Sequence, residues 1–117
     1  MAGLEEYLES AFVKWCKQRD IVPIKGPAQT AKGFPDRFCQ LPNGGGTIYV
    51  EFKGSSKYYD LTPMQVWWKD YIRASSPGRY FKIETKEELQ TMFQVLEKLI
   101  RMGPQLIEFE RKCFESM

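Results

Sequence analysis

The sequence predicts a single α/β domain in which helices flank a central mixed sheet of about four strands with an antiparallel hairpin. Helical and strand-like hydrophobic patterns alternate along the 117 residues, and a glycine-rich turn joins two apolar runs into the hairpin. A helix separates the last two strands, which allows a parallel crossover and therefore a mixed sheet. The length is typical of one domain, which we assign to residues 1–117.

The first half of the chain is predicted to contain one helix and three strands. Apolar residues at three- and four-residue spacing predict a helix from residue 4 to about residue 19. The β-branched run 21–25 suits a strand, and residues 26–33 form a polar loop with glycine and proline. Residues 37–41 and 47–53, on either side of the sequence PNGGG, are predicted to pair as the hairpin.

The next part of the chain is predicted to contain a helix followed by the fourth strand. Thr62 and Pro63 supply an N-cap and a proline at the first helical position. The sequence Ser-Ser-Pro-Gly at 75–78 is expected to end this helix, and residues 79–83 suit a strand.

The C-terminal part, about 86–115, is predicted to contain two helical segments. Thr85 and Glu88 form a capping box for the first of them. The Gly-Pro pair at 103–104 is expected to end this segment, and the second segment covers about 105–114.

The composition excludes several kinds of chemistry. The chain has no histidine, which excludes Ser-His-Asp catalysis and histidine-based zinc sites. Its three cysteines are odd in number and widely separated, so they predict neither a disulfide framework nor a zinc knuckle. Because no run approaches the ~18 apolar residues of a membrane span, we expect a cytoplasmic protein without membrane contact.

The net charge of +2 conceals a basic centre. Residues 14–82 carry a charge of +7, whereas residues 1–13 carry −3 and residues 83–117 carry −2. A basic centre is expected in a protein that binds a polyanion, although solvated surface lysines would give the same count.

Two carboxylates are predicted to face each other across the hairpin. If PNGG forms a four-residue loop, Phe38 faces Tyr49 and Asp36 faces Glu51, with Cβ atoms ~4.5–5.5 Å apart. Lys53 follows Glu51 by two residues and therefore shares its face. Two adjacent carboxylates favour a bound cation or a shared proton. The alternative is a surface hairpin on which these charges are merely solvated.

Sequence motifs stand in a fixed order around this hairpin: GFPDR at 33–37, YVEFK at 49–53 and LTPMQ at 61–65, preceded by Glu9. In this order and spacing the chain resembles the VRR-NUC group of the PD-(D/E)XK nucleases, including the small stand-alone versions carried by bacteriophages. The resemblance covers about residues 9–83 and implies a restriction-endonuclease-like core. For a phage protein, the expected location becomes the host cytoplasm.

The resemblance implies a metal-dependent catalytic site. Asp36 and Glu51 would bind Mg²⁺ or Mn²⁺, together with the backbone carbonyl of Phe52. Lys53 would orient the attacking water and neutralise developing charge. Gln65 would complete the catalytic set at the edge of the site, where it would help to place water or phosphate.

Two of these assignments have alternatives. Gln65 is also the third helical residue of a capping box, which explains it without a catalytic role. A further metal ligand is expected from an acid of the first helix, for which Glu5, Glu6 and Glu9 compete. We choose Glu9, because its distance to Lys25 resembles the family spacing.

Four basic residues flank the motifs and are the predicted nucleic-acid contacts, namely Lys25, Lys32, Arg37 and Lys57. The alternative for each of these side chains is an ordinary solvated position on the surface without a phosphate contact. Trp15, Trp67 and Trp68 could stack on bases, but two of them lie on helical apolar stripes that favour core packing, and we predict stacking for none of the three.

We therefore expect a metal-dependent deoxyribonuclease without an organic cofactor. By the resemblance, it would be structure-selective for branched DNA such as four-way (Holliday) junctions. Symmetric cleavage of a junction needs two sites, so we expect a homodimer. Four apolar residues of the last segment either form the dimer contact or complete the core: Leu106, Ile107, Phe109 and Phe114. The alternatives are an exonuclease or flap nuclease and a non-catalytic DNA-binding module.

Overall fold

In the computed structural model, which describes residues 3–54, 60–75 and 79–115, the chain forms three helices and four strands. In chain order they are α1 (Leu4–Lys17), β1 (Ile24–Lys25), β2 (Arg37–Leu41), β3 (Gly46–Phe52), α2 (Pro63–Ala74), β4 (Arg79–Ile83) and α3 (Lys86–Glu115). A short 3₁₀ turn, Pro42–Gly44, lies between β2 and β3. The predicted fold class is confirmed.

The four strands form one mixed sheet in the order β1-β2-β3-β4. Both pairs that involve β2 are antiparallel, whereas β3 and β4 are parallel and joined by α2. Phe38 pairs with Tyr49 and Gln40 with Thr47, as the predicted hairpin register requires.

The first strand is shorter than predicted. The N–H of Ile21 donates to the carbonyl of Cys16 at 2.9 Å, and the Ile21 side chain is buried in the core. The backbone of Ile21 therefore closes the end of α1 and does not extend the sheet. Pro23 has no N–H to donate, and only Ile24 and Lys25 pair with β2.

One face of the sheet carries the hydrophobic core beneath α1 and α3. Ile48, Val50 and Phe52 of β3 are at most 3% exposed and belong to the core cluster. The helices contribute residues that include Leu8, Phe12, Leu89, Met92 and Leu96. Because side chains alternate along a strand, Tyr49 and Glu51 point to the opposite face, where α2 lies. The polar site and the core thus occupy opposite faces of the same strand.

The helix α3 begins at the predicted capping box but does not end where predicted. Glu88 donates its N–H to Thr85 Oγ1 at 3.0 Å and accepts the Thr85 N–H at 3.1 Å. The predicted break at residues 103–104 is wrong, because α3 continues to Glu115. Gly103 is buried against the 3₁₀ turn, where a Cβ would lie 2.0 Å from the carbonyl oxygen of Asn43. Tertiary packing therefore outweighs the local tendency of a Gly-Pro pair to end a helix.

The tryptophans do not share one environment. Trp15 is buried and stacks on Phe93, with ring centroids 5.0 Å apart. Trp67 on α2 is 52% exposed, so core packing is the wrong interpretation for this residue. Trp68 is partly buried.

No helix within the described ranges combines the length and hydrophobicity that a membrane crossing requires. Two predicted features lie outside the described residues, namely Lys57 and positions 76–78 of the predicted helix end. The same holds for the side chains expected at the dimer contact: Leu106, Ile107, Phe109 and Phe114.

Replacing Gly103 with alanine is expected to destabilise the fold by about 1–3 kcal/mol, because the added methyl group overlaps the Asn43 carbonyl. In an unobstructed helix the same change would stabilise by about 1 kcal/mol, so the sign of the effect is diagnostic. Urea denaturation measures it. Gly3→Ala is the steric control, since no heavy atom beyond its chain neighbours lies within 4 Å of that Cβ; because Gly3 is the N-cap of α1, a cost of up to about 1 kcal/mol is expected from the cap alone. A more stable Gly103→Ala protein would contradict the close packing.

Candidate active site

Asp36 and Glu51 lie side by side at the open end of the β2-β3 hairpin. Arg37 pairs with Val50, and continuation of this ladder by one residue places Asp36 opposite Glu51, as predicted. Asp36 Oδ2 accepts the N–H of Phe52 at 2.8 Å. The two carboxyl groups are close enough to form a hydrogen bond when one of them is protonated.

Glu51 is the one buried charged residue in the described part of the chain, with only 3% of its surface exposed. Gln65 Nε2 donates to Glu51 Oε1 at 3.3 Å, whereas no described group donates to Oε2. Burial and the charge of Asp36 raise the pKa of Glu51 to about 9, although the charge of Lys53 lowers it. Glu51 therefore holds a proton at neutral pH in the metal-free protein.

The environment of Asp36 also disfavours its ionised form. Burial raises the pKa of Asp36, and the charges of Glu9 and Glu5 raise it further. The N–H of Phe52 and a hydrogen bond with Glu51 act in the opposite direction. The two carboxyl groups thus oppose each other's ionisation, and a cation between them would remove that conflict.

Lys53 lies next to this pair, as predicted. Its backbone N–H donates to the carbonyl of Ile83 at 2.9 Å, which extends the β3-β4 pairing one residue beyond β3. Its side-chain charge favours the ionised form of Glu51. The structure therefore brings Asp36, Glu51 and Lys53 together.

Gln65 connects α2 to the carboxylate pair. Its backbone N–H donates to Thr62 Oγ1 at 3.2 Å, and its side-chain Oε1 accepts the Thr62 N–H at 2.8 Å. Its Nε2 donates to Glu51. The capping role and the contact with the site, which the sequence offers as alternatives, occur together because a side-chain amide carries both an acceptor and a donor.

Gly33, the first residue of GFPDR, allows the loop before the hairpin to approach α2 closely. It has a φ of +83°, and a Cβ at this position would lie 2.7 Å from the Cβ of Met64. A larger residue would strain the backbone and push the start of α2, including Gln65, away from the hairpin. The close contact with α2 and the positive φ therefore explain why position 33 is a glycine.

Glu9, the predicted metal ligand from α1, forms an ion pair with Arg37. Glu9 Oε2 accepts from Arg37 Nε at 2.7 Å, and Arg37 Nη1 also donates to the carbonyl of Pro23 at 2.9 Å. Both side chains are partly buried. These contacts join α1 and the chain before β1 to β2, which gives Arg37 a structural role besides its predicted contact with phosphate.

Glu5, a second acid of α1, also lies near the carboxylate pair. Its Oε1 accepts the N–H of Gly54 at 3.0 Å, directly after Lys53. The charges of Glu9 and Glu5 both raise the pKa of Asp36, that of Glu9 more strongly, and the charge of Glu5 also raises the pKa of Glu51. Both acids therefore face the site, and the choice of Glu9 as the α1 ligand stays a prediction.

Of the other predicted nucleic-acid contacts, the two that lie among the described residues are exposed. Lys25 lies on the edge strand β1, and Lys32 lies in the loop that leads to the hairpin. Both remain accessible to a phosphate.

Tyr80 is a neighbour of the site that the sequence pattern did not indicate. It lies on β4 opposite Tyr49, is 7% exposed, and its hydroxyl has no hydrogen-bond partner among the described residues. Burial and the charge of Glu51 raise the pKa of Tyr80, so the phenol stays protonated. The Arg73 guanidinium lies 5.5 Å from the ring centroid. Only the parallel β3-β4 register reveals this proximity, and no turn in the sequence specifies that register.

The residues of the site fit a hard divalent cation. No cluster of three or more His, Cys, Asp or Glu side chains suited to a metal occurs in residues 3–54, 60–75 and 79–115. Mg²⁺, however, often takes only one or two carboxylates and keeps several water ligands. Asp36 and the unpartnered Glu51 Oε2 supply such an oxygen pair, and the Phe52 carbonyl is the predicted third ligand.

No protein-family model matches the chain, and no curated protein is significantly similar to it. A functional assignment therefore depends on the residues and geometry of the site itself.

Glu51→Gln is expected to stabilise the metal-free protein at neutral and alkaline pH. Glutamate has a pKa of about 4.3 when unfolded, whereas in the folded protein it is raised to about 9. The folded state thus binds the extra proton, and the associated stability is complete below the unfolded pKa and is lost as the pH rises through the folded one. Glutamine does not ionise, so the loss of stability that Glu51 causes with rising pH would disappear in the variant.

Urea denaturation in EDTA, between about pH 5 and about pH 9, measures this effect. The difference between the two proteins is expected to grow with pH and to reach several kcal/mol near pH 8. The control is Glu87→Gln on the exposed first turn of α3, which should change stability by less than about 1 kcal/mol. Equal pH dependence in wild type and Glu51→Gln would show that Glu51 ionises normally.

Proposed function

We propose that this chain is a divalent-metal-dependent endonuclease that hydrolyses phosphodiester bonds in DNA. The observation that carries the proposal is the Asp36–Glu51 pair, in which Glu51 is buried, Asp36 is partly buried and Glu51 Oε2 has no described donor. A carboxylate buried for structural reasons is normally hydrogen-bonded at both oxygens or paired with a cationic side chain. Two adjacent carboxyl groups that can both ionise only with a cation between them, beside a lysine, are better explained as a cation site than as a structural pair.

A bound Mg²⁺ or Mn²⁺ would polarise the phosphate and lower the pKa of the attacking water. Asp36 and Glu51 would hold the cation, and the Phe52 carbonyl would add a neutral oxygen. Because Glu51 starts protonated, metal binding would release a proton and become stronger as the pH rises.

The remaining residues of the site position these groups and balance charge. The ammonium group of Lys53 would orient the attacking water and neutralise charge that develops on the phosphate. Gln65 holds Glu51 by Oε1, which would leave Oε2 to bind a cation. The Phe52 N–H holds one oxygen of Asp36 in the same way. Both ligands therefore lie on a rigid hairpin with restricted rotamers.

The charge distribution supports a nucleic-acid substrate. Residues 14–82 carry a charge of +7; the exposed Lys25 precedes the loop that leads to GFPDR, and the exposed Lys32 lies near the end of that loop. Such charges attract phosphates without regard to sequence. A protein that only bound DNA would gain nothing from two carboxylates that face the backbone, which favours catalysis over a binding module.

We also propose that the substrate is branched DNA, such as a four-way junction, and that the active form is a homodimer. The described residues form one carboxylate pair, whereas symmetric cuts at a junction need two sites related by a twofold axis.

Purified protein incubated with Mn²⁺ is expected to make paired cuts near the centre of a labelled four-way junction. Asp36→Ala should abolish cleavage, since it removes a cation ligand, and Lys53→Ala should slow it by about 100-fold or more. EDTA should stop the reaction. Flap, linear duplex and single-stranded DNA tested in parallel define the preferred structure.

Lys98→Ala is the matched control, because Lys98 is an exposed lysine on α3, beyond the opposite face of the sheet. It should cleave as the wild type does. Cleavage that persists in Asp36→Ala, or that is absent from the wild type with either Mn²⁺ or Mg²⁺, would refute the nuclease. Cuts confined to flaps or ends would retain the chemistry and refute the junction substrate.

A further inference from the structure

Helix α2 exposes an aromatic surface beside the candidate active site. Trp67 is 52% exposed and Tyr71 is 56% exposed, although both are large apolar side chains. They lie four residues apart and therefore on the same side of the helix. Their rings stack with centroids 5.3 Å apart and planes only 10° apart. We call this pair the aromatic platform.

The platform is held in place by Trp68. The Trp68 ring meets both platform rings edge-on, at centroid distances of 5.1 Å for Trp67 and 5.9 Å for Tyr71. Trp68 is itself anchored, because its Nε1 donates to the carbonyl of Lys32 at 3.0 Å and its ring packs against Phe34 at 4.9 Å. A ligand that stacked on these rings would immobilise few additional side-chain torsions.

The platform belongs to the same helix that contacts the carboxylate pair. Gln65 donates to Glu51, and Tyr71 follows Gln65 by six residues. At 1.5 Å per residue, the two are separated by about 9 Å along the helix axis. At about 100° per residue, Trp67 and Tyr71 lie roughly 200–240° around the helix from Gln65, on its solvent-facing side. A strand whose phosphate lay at Glu51 would pass around this helix, which is about 10–12 Å wide, and could place a base a few nucleotides away at the platform.

The size and composition of this surface favour a nucleobase over a protein partner. A standard protein interface involves about 20–30 residues on each side. The exposed large apolar side chains of α2 number only four, namely Met64, Val66, Trp67 and Tyr71. A flat ring face suits any base, and the exposed Lys32 beside Trp68 offers a positive charge for the adjoining phosphate.

We propose that Trp67 and Tyr71 form a stacking platform for an unpaired nucleobase of the DNA substrate. This inference rests on the proposed nuclease function and specifies its substrate. Bases within a continuous duplex are already stacked on their neighbours, whereas branch points, overhangs and flaps present free base faces. The platform would therefore select DNA that carries an unpaired base within a few nucleotides of the scissile phosphate.

The test is DNA binding in EDTA, so that cleavage plays no part in the measurement. Fluorescence anisotropy would compare a labelled duplex that carries a single-stranded thymidine overhang with the corresponding blunt duplex. The double variant Trp67→Ala/Tyr71→Ala is expected to bind the overhang DNA about 10-fold or more weakly than wild type. Its affinity for the blunt duplex should stay within about twofold, because phosphate contacts dominate there.

Two further variants separate stacking from general effects on α2. Trp67→Phe/Tyr71→Phe keeps two aromatic rings and should retain most of the overhang affinity. Val66→Ala removes another exposed apolar side chain of the same helix and should bind as wild type does. All three proteins should remain folded, with a cooperative urea transition and the far-UV circular dichroism of the wild type, since the substituted side chains are 37–56% exposed and lie outside the core cluster.

Unchanged overhang affinity in the double alanine variant would overturn the platform, as would an equal loss on both DNAs. A fall in molar mass measured by light scattering would also overturn it, since the rings would then join two copies of the chain. Selective loss of overhang binding without Mn²⁺-dependent cleavage by the wild type would refute the nuclease and leave the platform standing. Cleavage by the wild type, together with unaltered overhang binding by the double alanine variant, would support the nuclease and refute the platform.

Discussion

The hydrogen bond from the Phe52 N–H to Asp36 Oδ2 closes the end of the hairpin on which the candidate site depends. It continues the β2-β3 ladder past its last backbone pair, Arg37 with Val50, and so fixes the carboxylate of Asp36 beside Glu51. A register slip of one residue would turn Glu51 into the core and expose its apolar neighbours. The register that buries the apolar residues of β3 is therefore the same register that places the two carboxylates side by side.

This arrangement places opposing energetic demands on a single strand. Val50 and Phe52 pack into the core, whereas Glu51 between them is buried with one oxygen unsatisfied. Burial of the carboxyl group destabilises the ionised form, and the core residues on either side offset that penalty. Low solvent access would also strengthen the interaction of such a carboxylate with a cation. Val50 and Phe52 thus stabilise the fold, whereas Glu51 between them belongs to the candidate site.

Features set by local periodicity could be predicted from the sequence, whereas features set by neighbouring elements could not. The hairpin register followed from a turn and a period of two, and the Thr62–Gln65 capping box followed from local spacing. Gly103 lies within a helix because the 3₁₀ turn Pro42–Gly44 packs against it, which no local pattern reveals. Likewise, Glu5 and Glu9 share one helical face, and only the packing of α1 shows that Glu9 pairs with Arg37 whereas Glu5 accepts the N–H of Gly54.

Gln65 connects the candidate site to the helix that carries the aromatic platform. Its amide caps α2 through Thr62 and holds Glu51, so the start of this helix is attached directly to the carboxylate pair. Gly33 permits the same helix to lie against the loop before the hairpin, and Trp68 then bonds to that loop through the Lys32 carbonyl. A displacement of α2 would consequently move the exposed rings and the Glu51 carboxylate in concert. The distance between a stacked base and the scissile phosphate would be set by the packing of one short helix rather than by a flexible loop.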